Sequence, residues 1–222
     1  MCGRFYAGEE LIRQLERDFP WLLGKLTPGD VFPSRQAAVL ISGSSPDGKA
    51  AENSRSVGCR DGLTARLMTW GYPMSSGSRL MINARAETIS VRPMFREDYA
   101  FRRCAVPAEK FYEWKRTGTD RIKYEFRSSE ETDGRLYLAG IFHRDQSDET
   151  GGRFVVITTK ANASMAPIHD RMPVLMGQEE IRDWLNSPED SQRILERIPR
   201  MLIPQKTPVE YEQLSLFELP EK

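Results

Sequence analysis

Arg103-Cys104-Ala105-Val106-Pro107-Ala108-Glu109-Lys110-Phe111-Tyr112-Glu113-Trp114-Lys115 reads as two consecutive strands, Arg103–Ala108 and Phe111–Lys115, broken at Pro107. The first is a continuous apolar run and the second carries aromatic residues around a single carboxylate, both strand signatures. Lys123–Arg127 alternates, and Leu136–Phe142 and Arg153–Thr159 are β-rich runs of the same kind. Upstream, Ala37–Ile41, Thr64–Trp70 and Leu80–Asn83 read as strands, and Pro173–Met176 as one more. Helices are expected at the two ends. Glu9–Asp18 places Leu11, Ile12, Leu15 and Phe19 near helical spacing before Pro20. Gln178–Leu185 is a second helix, and Ser187-Pro188-Glu189-Asp190 opens a third with an N-cap serine, a first-turn proline and early acids. Ala86–Ser90 is a further short helix. Strands in the middle with helices at the ends imply an α+β domain, an antiparallel sheet or open barrel flanked by helices. The domain is expected over residues 1–204, with 205–222 as a tail.

Composition narrows the function classes. The chain has 222 residues with 32 basic and 32 acidic side chains, three cysteines and two histidines. No C-x-x-C pair occurs, and Cys2, Cys59 and Cys104 are far apart, which argues against a disulfide framework and a thiolate metal site and suits a reducing compartment. No metal or organic cofactor is expected. No apolar run approaches the roughly 18–20 residues of a membrane span, and no leader peptide precedes the domain, so a cytoplasmic monomer is expected. Charge is unevenly distributed. Residues 1–127 hold 21 basic against 15 acidic side chains, and the remainder 11 against 17. The basic part is rich in arginine, whose forked donors suit phosphate.

Cys2 directly follows Met1. Trimming of Met1 would place an α-amine and a thiol on neighbouring atoms of one residue. Such a 1,2-aminothiol condenses with an aldehyde to an imine and then closes a thiazolidine ring. A free α-amine titrates near ~7.7–8.0, so part of it is nucleophilic at neutral pH.

Four segments occur together: Met1-Cys2-Gly3-Arg4-Phe5, Ile82-Asn83-Ala84-Arg85-Ala86-Glu87-Thr88, Phe111-Tyr112-Glu113-Trp114-Lys115 and Ile168-His169-Asp170-Arg171-Met172-Pro173. In order and spacing the set resembles the SRAP (SOS response-associated peptidase) family from residue 1 to about 200. The resemblance implies a sensor and shield for abasic sites in single-stranded DNA, which traps the lesion's aldehyde as a thiazolidine DNA–protein crosslink through Cys2. It also implies an association with the nucleoid. Carried residue by residue, it makes Cys2 the nucleophile, Asn83 an amide that orients the amine or a sugar hydroxyl, Glu113 the acid/base residue and His169 a proton donor or polariser. Arg4 and Arg85 would contact phosphates. Arg171 would reach DNA or buttress Glu113 or Asp170. Trp70 and Tyr72 are candidates for stacking on bases, with the core as the alternative for Trp70. A thiol autopeptidase using the same cysteine, and a non-covalent single-strand binding module, are the alternatives. One departure stands out: Asp30-Val31-Phe32-Pro33-Ser34 occupies a place where the family often has Asn-x-x-Pro.

In the tail, Gln213-Leu214-Ser215-Leu216-Phe217 resembles the pentapeptide with which bacterial proteins bind the sliding clamp. Gln213 would make the polar contact, and Leu214, Leu216 and Phe217 would supply the apolar ones.

Overall fold

Glu109 is where the chain changes sheets. In the computed structural model, which describes residues 2–43, 62–74, 79–129, 134–144 and 151–207, its N–H donates to Tyr6 O at 2.9 Å. The elements in chain order are β1 (Phe5–Ala7), α1 (Glu9–Asp18), β2 (Gly29–Val31), β3 (Gln36–Ser42), β4 (Leu63–Trp70), β5 (Tyr72–Pro73), β6 (Leu80–Met81) and β7 (Asn83–Arg85). They continue with α2 (Arg96–Phe101), β8 (Arg103–Ala108), β9 (Lys110–Thr117), β10 (Asp120–Ser128), β11 (Leu136–His143) and β12 (Arg153–Lys160). The last are β13 (Arg171–Pro173), β14 (Leu175–Met176), α3 (Ile181–Asn186), α4 (Pro188–Glu196) and β15 (Leu202–Lys206).

The strands β15-β10-β9-β1-β2 form one antiparallel sheet. In the other, β12, β4, β3, β8 and β11 pair in sequence and β11 returns to β12, so five strands close a ring. The α+β class with flanking helices is as the sequence implied. The pairing is mostly antiparallel, as expected, with two exceptions: β12 runs parallel to both β4 and β7. Parallel neighbours need a long crossover, and the intervening chain from β7 through β8–β11 supplies it.

Alternate residues along the ring strands feed two cores, as the period of two in a strand requires. Ala38, Leu40, Ala105, Ala139, Ile141, Val155 and Ile157 meet Leu11 and Leu15 of α1, Ile181 and Trp184 of α3, and Ile194 of α4. Val39, Ile41, Val106, Leu138, Phe154 and Val156 instead meet Phe5, Phe111, Phe126 and Cys2 from the other sheet. Gly140 is required where the ring tightens, since a Cβ there would lie 2.9 Å from Cys104 Sγ and 3.0 Å from Val155 O.

Four expected boundaries shift for local reasons. Pro107 does not break β8 but stays in register opposite Tyr137; the break falls at Glu109. The run 80–83 splits at Ile82, whose carbonyl accepts from both the Trp70 indole and Val156 N–H. The run 173–176 splits at Val174, which bridges Ile157 O and Ala139 N–H. The helix expected over Gln178–Leu185 begins as a 3-10 turn before α3. The Ser187 cap is present, its Oγ accepting from Asp190 N–H at 3.1 Å. The unexpected strand β15 crosses the 204/205 boundary. Pro204 is tolerated because β15 lies at an edge, paired among the described residues only with β10.

Candidate functional site

β1 is held on both sides, by β2 at Phe5↔Val31 and by β9 at Phe5↔Phe111. The Tyr112 N–H donates to Arg4 O at 3.0 Å, which extends the pairing one residue toward the N-terminus. This ladder delivers Cys2 to Glu113. Cys2 is 0% exposed and packs in one core with Phe5, Trp70, Met165 and Met172. The Asn83 amide donates to Cys2 O at 2.9 Å. Asn83 Oδ1 is buried and has no hydrogen-bond partner among the described residues. Glu113 is also buried, and its Oε2 accepts from the Trp114 N–H at 3.3 Å. Burial first, and the negative charge of Glu113 second, push the Cys2 thiol up to about 12. The sulfur is therefore held as a thiol near neutral pH.

Arg4 lies in an aromatic cage. Its guanidinium carbon is 4.3 Å from the Phe32 ring centre, 5.3 Å from Trp114 and 5.9 Å from Tyr112. Arg4 Nη1 pairs with Asp30 Oδ2 at 3.3 Å. Burial and a hydrogen bond to Asp30 push the Tyr112 phenol up. Lys123 and Lys110 approach the Tyr112 ring at 4.2 and 5.6 Å, so three cations surround one aromatic residue beside Glu113. Asp30 thus takes a specific partner at the place where the sequence departs from the resembling family.

His169 precedes β13, and Met165 and Met172 on either side of it pack in the same core as Cys2. His169 Nδ1 accepts from the Arg171 N–H at 2.9 Å and lies 3.0 Å from Asp170 Oδ1. With Nδ1 accepting, a neutral imidazole carries its proton on Nε2. Arg171 pairs with neither Glu113 nor Asp170 but with Glu87. Arg85 ends β7 with its side chain exposed.

Trp70 and Tyr72 do not present faces to a base. Trp70 is 0% exposed, stacks on Phe154 with ring centres 6.1 Å apart, and donates its indole N–H to Ile82 O. Tyr72 is buried and donates its hydroxyl to Asp98 at 2.9 Å. Trp70 turns inward at the end of β4, a strand of the ring, and Tyr72 follows it in β5, which pairs with β6 outside the ring. His143 lies 3.5 Å from Asp98 and edge-on to Tyr72, far from the motifs in its partners. The tail motif at Gln213, Leu214, Leu216 and Phe217 lies outside the described residues. Sequence reasoning missed the Phe32/Trp114 cage, Asp30 as the counter-ion of Arg4, and Glu87. The last stood in view, inside Asn83-Ala84-Arg85-Ala86-Glu87-Thr88. Among the described residues, no group of three His, Cys, Asp or Glu could hold a metal ion, and no helix is long and apolar enough to cross a membrane.

Known proteins resemble this arrangement over nearly its whole length. The chain is 35% identical over 192 residues to the abasic site processing protein YoqW of Bacillus subtilis, covering 84% of this chain and 80% of the relative. It is 33% identical over 204 residues to the abasic site processing protein YoaM of the same organism, covering 89% and 85%. The abasic site processing protein HMCES of Xenopus tropicalis matches more locally, at 32% over 124 residues, covering 47% and 37%. A crystal structure of a protein from Bacteroides thetaiotaomicron shares the fold with a TM-score of 0.70 at 23% identity, covering 94% and 93% of the two chains. The family model described as SOS response associated peptidase (SRAP) matches residues 1–214. With its N-terminal cysteine built into the core beside Glu113 and Asn83, the chain belongs to the SRAP family.

Proposed function

We propose that this chain senses abasic sites in single-stranded DNA and shields them by covalent capture through Cys2 once Met1 has been removed. One observation carries the reading: Cys2 is not a frayed end but a buried residue, pinned by Asn83 at 2.9 Å and set against Glu113. The names of the relatives agree with it.

The chemistry follows from the state of the sulfur. A thiol pushed up to about 12 is a poor first nucleophile, so the amine acts first. It adds to the aldehyde carbon of the opened sugar, and loss of one water gives an imine. The sulfur then bonds to the imine carbon, and the thiol proton ends on the ring nitrogen. The sum is aldehyde plus aminothiol giving thiazolidine plus water. Glu113 receives the thiol proton and relays it. Asn83 Oδ1, which has no hydrogen-bond partner among the described residues, orients the amine, and His169 Nε2–H donates to a sugar oxygen. Holding amine, sulfur and sugar together makes both bond-forming steps intramolecular, which is worth up to roughly 7–11 kcal/mol in favourable cases. Arg4, Arg85 and the lysines around Tyr112 attract the phosphates on either side.

Incubation with abasic single-stranded DNA, followed by denaturing electrophoresis, should give a shifted band that survives heating. Cys2→Ser keeps the amine and should give only a labile imine product. A Cys2→Ala protein that crosslinks as stably as wild type would sink the thiazolidine route. Peptide cleavage without crosslinking would favour the thiol autopeptidase, and salt-sensitive binding with neither reaction the plain binding module. Intact-mass measurement should show Met1 absent. The tail motif would bring this activity to a sliding clamp; a fluorescent peptide of residues 205–222 that fails to bind the clamp at high micromolar concentration removes that part.

A further inference from the structure

Glu87 has no part in the scheme above, yet its side chain ties the two halves of the site together. Its carboxylate holds the Arg171 guanidinium by two bonds, Nη1 to Oε1 at 2.5 Å and Nη2 to Oε2 at 2.9 Å. Arg171 Nη2 also donates to Thr158 O at 2.6 Å, and the Thr158 hydroxyl donates to Ala84 O at 3.3 Å. Thr158 stands opposite Arg85 on one side and Pro173 on the other. One guanidinium therefore ties β13, just after His169, to β12 and to the 3-10 turn at Glu87 that directly follows β7 and Asn83.

Consider what this does to His169. The Arg171 N–H is the donor to His169 Nδ1. The Arg171 N–H thus favours the proton on Nε2, against the Asp170 carboxylate oxygen that lies 3.0 Å from the same Nδ1. β13 has three residues and, among the described residues, only β12 for a strand neighbour. So short an edge strand frays readily, and a bidentate arginine–carboxylate pair is the kind of contact that holds it. The Arg171 side chain is only 12% exposed, so removing its counter-ion leaves a poorly hydrated cation rather than a solvated one.

We propose that Glu87 is a positioning residue: by clamping Arg171 across β12, it holds the His169 imidazole in the Nε2–H form facing the lesion. The proposal rests on the proton-donating role given to His169 above. It also separates Glu87 from a residue that merely prepares Arg171 for a DNA phosphate.

A double-mutant cycle decides between these roles. Single-turnover crosslinking to abasic single-stranded DNA is measured for wild type, Glu87→Gln, His169→Ala and the double variant, with Glu87→Asp as the charge-preserving control. Glu87→Gln should slow crosslinking by about tenfold in the wild-type background and by less than about twofold when His169 is already absent. Glu87→Asp should recover most of the rate. Equal losses in both backgrounds, or no loss in either, overturn the proposal. The 15N shifts of the His169 ring give a second reading that needs no DNA. Wild type should show the Nε2–H form, and Glu87→Gln a mixture of the two tautomers. Unchanged ring shifts in a folded Glu87→Gln protein also overturn it. Should wild type form no crosslink at all, the covalent reading fails, and the ring shifts alone still decide whether Glu87 positions His169.

Discussion

Arg103 and Arg171 are both largely buried arginines, and their surroundings differ in kind. Arg103 sits where α2 and α3 end. Its guanidinium donates to Trp184 O at 2.6 Å, Tyr99 O at 2.9 Å, and Ala100 O and Leu185 O at 3.2 Å. These are carbonyls of the kind a helix end leaves without partners. Burial lowers the pKa of Arg103, and its hydrogen bonds given above all go to neutral backbone carbonyls. Around the candidate site the bonds run to charges, and some capacity is left over. Arg171 pairs with Glu87 and Arg4 with Asp30. Asn83 Oδ1 and the Nε atoms of Arg4 and Arg171 are buried without hydrogen-bond partners among the described residues. Unfilled buried polar atoms cost stability unless something fills them. Arg103 has used its donors for folding, whereas the cysteine side leaves an acceptor and donors unfilled among the described residues.

Perturbing each side should break this contrast in a different observable. Arg103→Met strands four carbonyls, so unfolding by denaturant should show a loss of about 3 kcal/mol, while the folded protein still captures abasic DNA. A variant as stable as wild type would mean that the carbonyls find water and that the contrast is false. Glu113→Gln should do the reverse. The crosslinking rate should fall about 100-fold, roughly 2.7 kcal/mol, with the melting temperature little changed.

pH acts on two thiols of the core that holds Cys2. The folded-state pKa of Cys2 is raised to about 12, above the unfolded value of 9.0, and burial raises Cys104 as well. Folding therefore favours the protonated thiols. That contribution is complete below pH 9 and is lost as pH rises from 9 toward 12. Each thiol should cost on the order of 1.4 kcal/mol per pH unit over that range. Stability curves from pH 8 to 11 should bend downward, and Cys104→Ala should lessen the slope. A flat profile would show that the thiols are not the groups that titrate. Tyr72→Phe is the smallest test. Loss of the 2.9 Å bond to Asp98 should cost about 1 kcal/mol and leave the affinity for single-stranded DNA unchanged. Weaker DNA binding would return Tyr72 to the interface.

Much of the fold was legible along the chain. The helix Glu9–Asp18 and the strand Arg103–Ala108 have the same limits in sequence and structure. Both carry a strong local pattern, one of helical spacing before a proline and one an unbroken apolar run. The missed boundaries, at Ile82, Val174 and Pro204, share a different cause. At each, the chain changes or gains a sheet partner distant in sequence, and no local periodicity records a partner. The expected site was legible as four separated motifs. The partners within it were not: Asp30 for Arg4, Glu87 for Arg171, and an inward course for Trp70 and Tyr72. A side chain's residue type states what it can bind, but only the strand pairing states what lies opposite.

The sequence by itself determined the chemistry on offer: an aminothiol once Met1 is gone, a carboxylate flanked by aromatics, an amide, and an imidazole beside an arginine. These are properties of residue types and their order. Tertiary structure decided which of them meet. The closed ring of strands buries Cys2 against Glu113 and Asn83, spends Trp70 and Tyr72 on the core, and locks Arg171 to Glu87 across β12. The physical reason is that burial and hydrogen-bond partnership are set by long-range pairing, and these, more than residue identity, govern whether a thiol is held protonated or a cation is free to bind.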